Sequence, residues 1–166
     1  MAVKWKTTIN KLPQVAATTK ALSNRAVKVG ALQGENAWLA GIHEYGVSIP
    51  VTEKMRAYLH GQGLHLKTTT THIRIPERSF LRTGFDDNHD RIIMQTERAL
   101  CQVLAGSMSI DDMLDLYGQQ MATAIKKRIR DINSPALHPY TIAKKGSSNP
   151  LVDSGGLVES ITWTKE

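Results

Sequence analysis

Cysteine is nearly absent from this chain, aromatic residues are scarce and no long apolar run interrupts it, and each gap removes a class of protein. The single cysteine, Cys101, rules out an intrachain disulfide and a cysteine-rich zinc module. Its neighbours Leu100, Val103 and Leu104 predict a small buried apolar residue. No stretch approaches the roughly 18 apolar residues of a membrane span, and the N-terminus has neither the apolar segment nor the cleavage site of a secretory signal. The expectation is a protein made and folded in a cytoplasm, with no membrane partner. Aromatics are 5% and apolar residues 41% of 166 positions, which predicts one domain with a modest core and much surface, parts of which order only in an assembly. Acidic residues are the scarcer charge. The 21 Lys plus Arg against 15 Asp plus Glu leave a net +6, which permits contact with nucleic acid or an acidic protein without requiring either.

What is present is patterned for both helix and strand. A helix is predicted over residues 8–25 with Pro13 in its first turn, where a missing N–H costs least. Alternation predicts a strand over 26–32, and a short helix over 37–44 follows, closed by Gly46. Ser48 to Val51 is extended, and Thr52 caps a helix through Met55, Tyr58 and Leu59 that Gly61 and Gly63 stop. Leu64 to Ile75 contains the threonine run Thr68 to Thr71, whose Cβ branching predicts a hairpin or two extended arms, ended by Pro76. Two long helices are predicted in the second half. The first, over 86–104, carries Asp86, Asp87 and Asp90 at the positive end of its macrodipole. The second, capped by Ser109, keeps helical spacing from Ile110 through Met113, Tyr117, Met121, Ile125 and Ile129 to Ile132. Residues 133–150 read as loop, before a helical turn and a last strand at 161–165. The predicted class is α+β: a small, mainly antiparallel sheet from strands near 26–32, 47–51, 64–75 and 160–165, packed against two long helices, with an extended hairpin arm.

None of the reactive-looking motifs makes a case for catalysis. Asp153-Ser154-Gly155-Gly156 matches the nucleophile segment of chymotrypsin-like proteases, but Val152 stands where that family has glycine, and a double barrel needs more chain and more strands. The same residues make a turn and helix cap, with the Asp153 carboxylate placed to accept several backbone N–H groups. His60, His65 and His72, and His89 among the three acids, lack the spacing of a metal site. Gly61-x-Gly63 and Gly155-Gly156 lack the strand, helix and lysine of a phosphate loop, so no metal, nucleotide or other cofactor is expected. Lys126, Lys127, Arg128 and Arg130 end the longest helix. They either stabilise its C-terminus or face phosphates in a salt-sensitive, sequence-independent way, and of them Lys126, Lys127 and Arg130 are the DNA-facing candidates.

Three blocks in a fixed order remain: Glu44-Tyr45-Gly46; Pro76, Arg78, Phe80, Leu81 and Arg82; and Pro150-Leu151-Val152-Asp153-Ser154-Gly155 with Leu157, Ser160 and Ile161. Together they resemble the neck or tail-completion proteins of tailed bacteriophages, a group also described as virion-morphogenesis or minor tail proteins. The likeness runs from about residue 26 to the end. It departs at Ser79, where many relatives have a second proline, and in the length of the stretch between Gly46 and Pro76, which makes 47–75 a candidate inserted helix and arm within a single 1–166 domain. The resemblance implies a non-enzymatic virion protein at the head–tail junction. It would form a homo-oligomeric ring around the DNA path, with head-closure or connector, tail terminator or tail tube proteins as partners and non-specific DNA contact in the channel. The alternatives are a tail terminator or minor tail protein and, from other classes, a basic nucleic-acid-binding protein or a small hydrolase using Ser154. Arg78, Phe80 and Arg82 are the interface candidates. Phe80 and Leu81 would anchor the helix start while the guanidinium groups hold carboxylates, within the fold or across a subunit boundary, or stand as ordinary surface residues.

Overall fold

The computed structural model describes residues 10–166. In chain order the elements are α1 (Leu12–Leu22), β1 (Val27–Ala31), α2 (Gly34–Tyr45), β2 (Val47–Pro50), α3 (Glu53–Gly61), β3 (His72–Ile75), α4 (Leu81–Asp86), α5 (His89–Ala105), α6 (Ile110–Asp131), α7 (Pro139–Lys145), α8 (Gly156–Ser160) and β4 (Ile161–Lys165). The class is α+β, as the pattern predicts. Thr8 and Ile9, placed in the first helix by the sequence, lie outside the described residues.

Helix α6 is the central element. The Ser109 hydroxyl accepts from the Asp112 N–H at 3.0 Å, acids fill the first turn and Arg128 and Arg130 the last, so both ends suit the helix dipole. Its inner face buries Met113, Met121, Ala122, Ile125 and Ile129. Onto that face pack α4, α5 and the ribbon of β1 and β4, which pair antiparallel from Val27↔Lys165 to Ala31↔Ile161. Phe80, Ile92, Met121, Ile129 and Ile161 form the fully buried centre. A smaller cluster of Ala99, Val103 and Met113 sits near the α5–α6 turn, with Leu22 of α1 against it.

The strands divide into two ribbons. β2 and β3 pair only with each other, from Val47↔Ile75 to Pro50↔His72. Between them α3 and the threonine run complete an arm over residues 47–75. The run itself is not a strand, and its physical reason is Arg56, whose guanidinium donates to the carbonyls of Leu66, Lys67 and Thr70 at 3.3, 2.9 and 2.7 Å. Those carbonyls are thereby taken from any ladder. Tyr140 and Lys144 of α7 reach Gln62 at 3.1 and 2.9 Å, tying the arm's far turn to the body.

Three further expectations change. The helix predicted over 86–104 starts later, as α5 at His89, and a separate short helix, α4, precedes it; between them the Asn88 amide donates to the Gly84 carbonyl at 3.0 Å, so Asp86 and Asp87 close α4 and only Asp90 lies in the first turn of α5. Within the stretch read as loop, α7 forms because Pro139 opens it, His138 Nδ1 accepts from the Tyr140 N–H, and Gly146 at φ +72° ends it. Cys101 is exposed, not buried. Ala99 and Val103 occupy the inward stripe of α5, and position 101 lies two residues from each, about 200° around the helix.

Candidate functional site

Two of the three sequence blocks meet in space. Glu44 lies in the last turn of α2 on the same stripe as Ala40, four residues earlier, and is 1% exposed. Its carboxylate lies at the start of α4, where backbone N–H groups have no helical partner. Oε2 accepts from the N–H groups of Phe80 and Leu81, each at 2.8 Å; Oε1 accepts from the Ser79 hydroxyl at 2.7 Å, the Arg82 N–H at 3.1 Å and the Arg82 Nε at 2.9 Å. Burial pushes the Glu44 pKa up, but the Ser79 hydroxyl, the Leu81 and Arg82 amides and the Arg82 guanidinium outweigh it and hold the group below its ordinary value.

The rest of Glu44-Tyr45-Gly46 closes the same joint. The Arg82 guanidinium stands 5.1 Å over the Tyr45 ring and also pairs with Glu77 at 2.6 Å. Gly46 has φ +69°, and a Cβ there would lie 2.8 Å from the Glu77 nitrogen and 2.9 Å from the Ile75 carbonyl oxygen. Only glycine fits such an approach. Residues 44–46 and 76–82 are thus one clasp, and the arm over 47–75 springs from it.

Arg78 and Phe80 face inward. Phe80 is wholly buried in the core. Arg78 is 4% exposed and donates to the Pro135 carbonyl from Nε and Nη2 at 2.9 and 2.7 Å, and to Ala136 at 3.4 Å. It binds carbonyls, where the sequence reading expected a carboxylate, and Arg82 is the one that holds a carboxylate within the fold. Both side chains of Phe80 and Arg78 are therefore engaged inside the chain, while Arg82 and Pro76 remain accessible.

The third block is a separate turn. Leu151 and Leu157 are buried core residues, whereas Asp153 and Ser154 are exposed. Asp153 does not make the helix cap expected of it; the turn ahead of it is held by Asn149, whose Oδ1 accepts from the Leu151 and Val152 N–H groups at 2.9 Å each and whose Nδ2 donates to the Arg130 carbonyl at 2.8 Å. The N-cap of α8 is Gly155 at φ +92°, with no side-chain bond. Asparagine is as good a turn former as aspartate, and its place just before Pro150 was the overlooked signal.

On α6, Lys127 pairs with Asp131 one turn on, while Lys126 and Arg130 have no ion pair among the described residues. His60 and His65 meet edge to face with Nδ1 atoms 2.7 Å apart. Among the described residues no three His, Cys, Asp or Glu side chains gather as a metal site. Beside β1 runs a largely apolar groove of about 350 Å³, walled by Val27 and Val29 and by Leu81, Arg82, Phe85 and Asp86 of α4, and floored by Tyr117, Met121 and Ile125. The chain matches no family model, no curated protein and no solved structure. Its surfaces must speak for themselves. Among the described residues no helix is long and apolar enough to cross a membrane.

Proposed function

We propose that this chain is a structural virion subunit of the neck or tail-completion type, docking at the head–tail junction of a tailed phage as a member of a homo-oligomeric ring. The observation that carries the reading is the clasp. Two of the three motif blocks whose order carries the resemblance form one joint, and from it hangs an arm suited to contact with neighbours. No residue from Tyr45 to Glu77 is buried, although Val47, Ile49, Val51, Met55, Leu59, Leu64, Leu66, Ile73 and Ile75 are all half-buried. A two-stranded ribbon with one short helix is marginal alone in water, so contact with a neighbour would add what its own body does not.

A closed ring made of like subunits needs two unlike surfaces on each. The arm supplies one, and the groove on the Val27–Val29 face of β1, largely apolar with Arg82 and Asp86 at its wall, supplies another. Lys126 and Arg130, free of ion pairs among the described residues, suit a salt-sensitive contact with passing DNA.

The test is loss of the gene in the host phage, with complementation by the wild-type chain. Free filled heads beside free tails, and density for this subunit between head and tail in cryo-EM maps of complemented particles, are expected. Joined, infectious particles made without the protein would overturn the reading.

A further inference from the structure

Behind the arm lies a second cavity of about 490 Å³ that the clasp does not use. Leu64, Leu66, Ile73, Ile75, Leu137 and Tyr140 make its walls largely apolar. His43, Arg74, Arg78 and His138 also line it, and no acidic residue does. Arg78 in particular is nearly enclosed, touches only neutral carbonyls and has no carboxylate within ion-pair distance among the described residues. A buried guanidinium without a counter-ion is costly. Beside it, His43 Nδ1 is buried with no hydrogen-bond partner at all. Arg78 therefore lacks the counter-charge that a carboxylate would give it, and His43 Nδ1, in the tautomer that carries its proton there, lacks an acceptor.

The shape narrows the ligand further. Ile73, Arg74, Ile75 and Pro76 are consecutive and all line the cavity, although alternate residues of a strand point to opposite faces. The cavity therefore follows the backbone edge of β3, and β3 has β2 on one edge only. An open strand edge binds extended peptide by main-chain pairing, with side-chain pockets setting specificity. The opposite wall, Ala136 to His138, is likewise a run of consecutive residues.

We propose that this cavity docks an extended peptide segment of another protein that carries a carboxylate between aliphatic side chains. The carboxylate reaches Arg78 and His43, the aliphatic groups fill the space among Leu66, Ile75 and Leu137, and the peptide backbone adds to β3. The inference rests on this cavity alone and is independent of the virion reading.

The test uses the purified full-length chain and fluorescein-labelled acetyl-Leu-Val-Glu-Val-Leu-amide, with the Gln and Lys versions as controls and octanoate as competitor. The Glu peptide is expected to bind at least tenfold more tightly than either control, and to shift the methyl NMR signals of Ile73, Ile75 and Leu137. Octanoate should compete only at far higher concentration. Because Arg78→Met removes the contacts to Pro135 and Ala136 and endangers folding, the decisive variant is Thr141→Glu, which places an internal carboxylate at the cavity wall. It should abolish peptide binding and raise the melting temperature. Equal binding of the three peptides, no binding at millimolar peptide, or unchanged binding by Thr141→Glu would overturn the proposal. So would octanoate binding as tightly as the peptide, which would mark a site for free aliphatic acids.

Discussion

Gly118 of α6 lies directly beneath the indole of Trp163 on β4: a Cβ at position 118 would sit 2.4 Å from Trp163 Cδ1. The missing side chain is what lets the β1–β4 ribbon settle on the central helix. Above it, the Trp163 Nε1 donates to Asp115 at 3.1 Å and Lys165 pairs with the same carboxylate at 2.6 Å. Lys165 and then Trp163 hold the Asp115 pKa below its ordinary value. Gly118→Ala forces the ring and the strand outward. Overpacking of this kind costs about 1–3 kcal/mol, a fall in Tm of roughly 3–10 °C for a domain of this size. Calorimetry of Gly118→Ala, Trp163→Leu and the double variant checks it: the double should be more stable than the sum of the two predicts.

Glu44 makes the clasp pH-sensitive. Its folded pKa is depressed from the ordinary 4.5, so its contribution to stability is full above that value and is lost as pH falls through the lower, folded pKa. Urea midpoints measured from pH 7 down to pH 3 should drop below about pH 4.5 in the wild type, and that part of the fall should be missing from Glu44→Gln. Glu44→Ala leaves the Phe80 and Leu81 N–H groups and the Ser79 hydroxyl without an acceptor, and is expected to cost roughly 3–5 kcal/mol.

Asn149, not Asp153, organises the turn before α8. Asn149→Ala loses two accepted bonds and one donated bond and should cost about 1–2 kcal/mol in chemical denaturation. Asp153→Ala and Ser154→Ala, both at exposed positions, should each stay within about 0.5 kcal/mol of wild type. A larger effect of Asp153→Ala would restore the capping role that the sequence assigns to its carboxylate. Hydrolysis of ester or peptide substrates that disappears with Ser154→Ala would contradict the structural reading of the motif altogether.

The two basic groups should separate by folding rather than by binding. Arg78→Glu sets a carboxylate against the Pro135 and Ala136 carbonyl oxygens and is expected to lower Tm sharply, so any loss of joined particles with this variant reports on folding. Charge reversal of Lys126, Lys127 and Arg130 touches no buried group, but it sets acids against the C-terminal end of α6 and breaks the Lys127–Asp131 pair, so Tm should fall only modestly, much less than with Arg78→Glu. Retention of the triple variant on immobilised DNA should be weaker than wild type and less dependent on salt.

Replacing Ser48 to Arg74 by Asn-Gly should spare the body and disable the assembly. Val47 and Ile75 are cross-strand partners, and a two-residue turn suits their geometry. The shortened chain should keep a cooperative thermal transition yet fail to complement the phage. Normal complementation would remove the arm from the proposed function.

How much of this was legible in the sequence depended on whether the cause was local. Helix α6, capped by Ser109 and striped every three or four residues, lies where the pattern puts it, as does α3 behind Thr52. The α+β class follows from the same patterns. Strand pairing is not local: nothing in Val27 to Ala31 says that its partner is the last strand of the chain and not the arm. The threonine run carries a true strand propensity, which Arg56 overrides by taking the carbonyl of Thr70 within it and those of Leu66 and Lys67 just before it. The sequence shows Glu44 as part of a motif but not as a buried cap, because its donors lie some 35 residues onward. A carboxylate in register with Ala40 on an inward stripe was the available sign. The burial of Arg78 depends on carbonyls at 135 and 136, which no spacing rule connects to it.

The clasp has a further consequence, for how such a protein changes over generations. With the chain entering and leaving the arm side by side, the core behind the joint depends little on the length of what lies between: doubling a loop between fixed ends costs only about 0.6 kcal/mol of closure entropy. Helix α3 and the threonine run can be lengthened, trimmed or exchanged without disturbing Glu44, Gly46 or the core behind Phe80. Reach can then evolve separately from fold, and two proteins with the same joint can differ entirely in what they grasp.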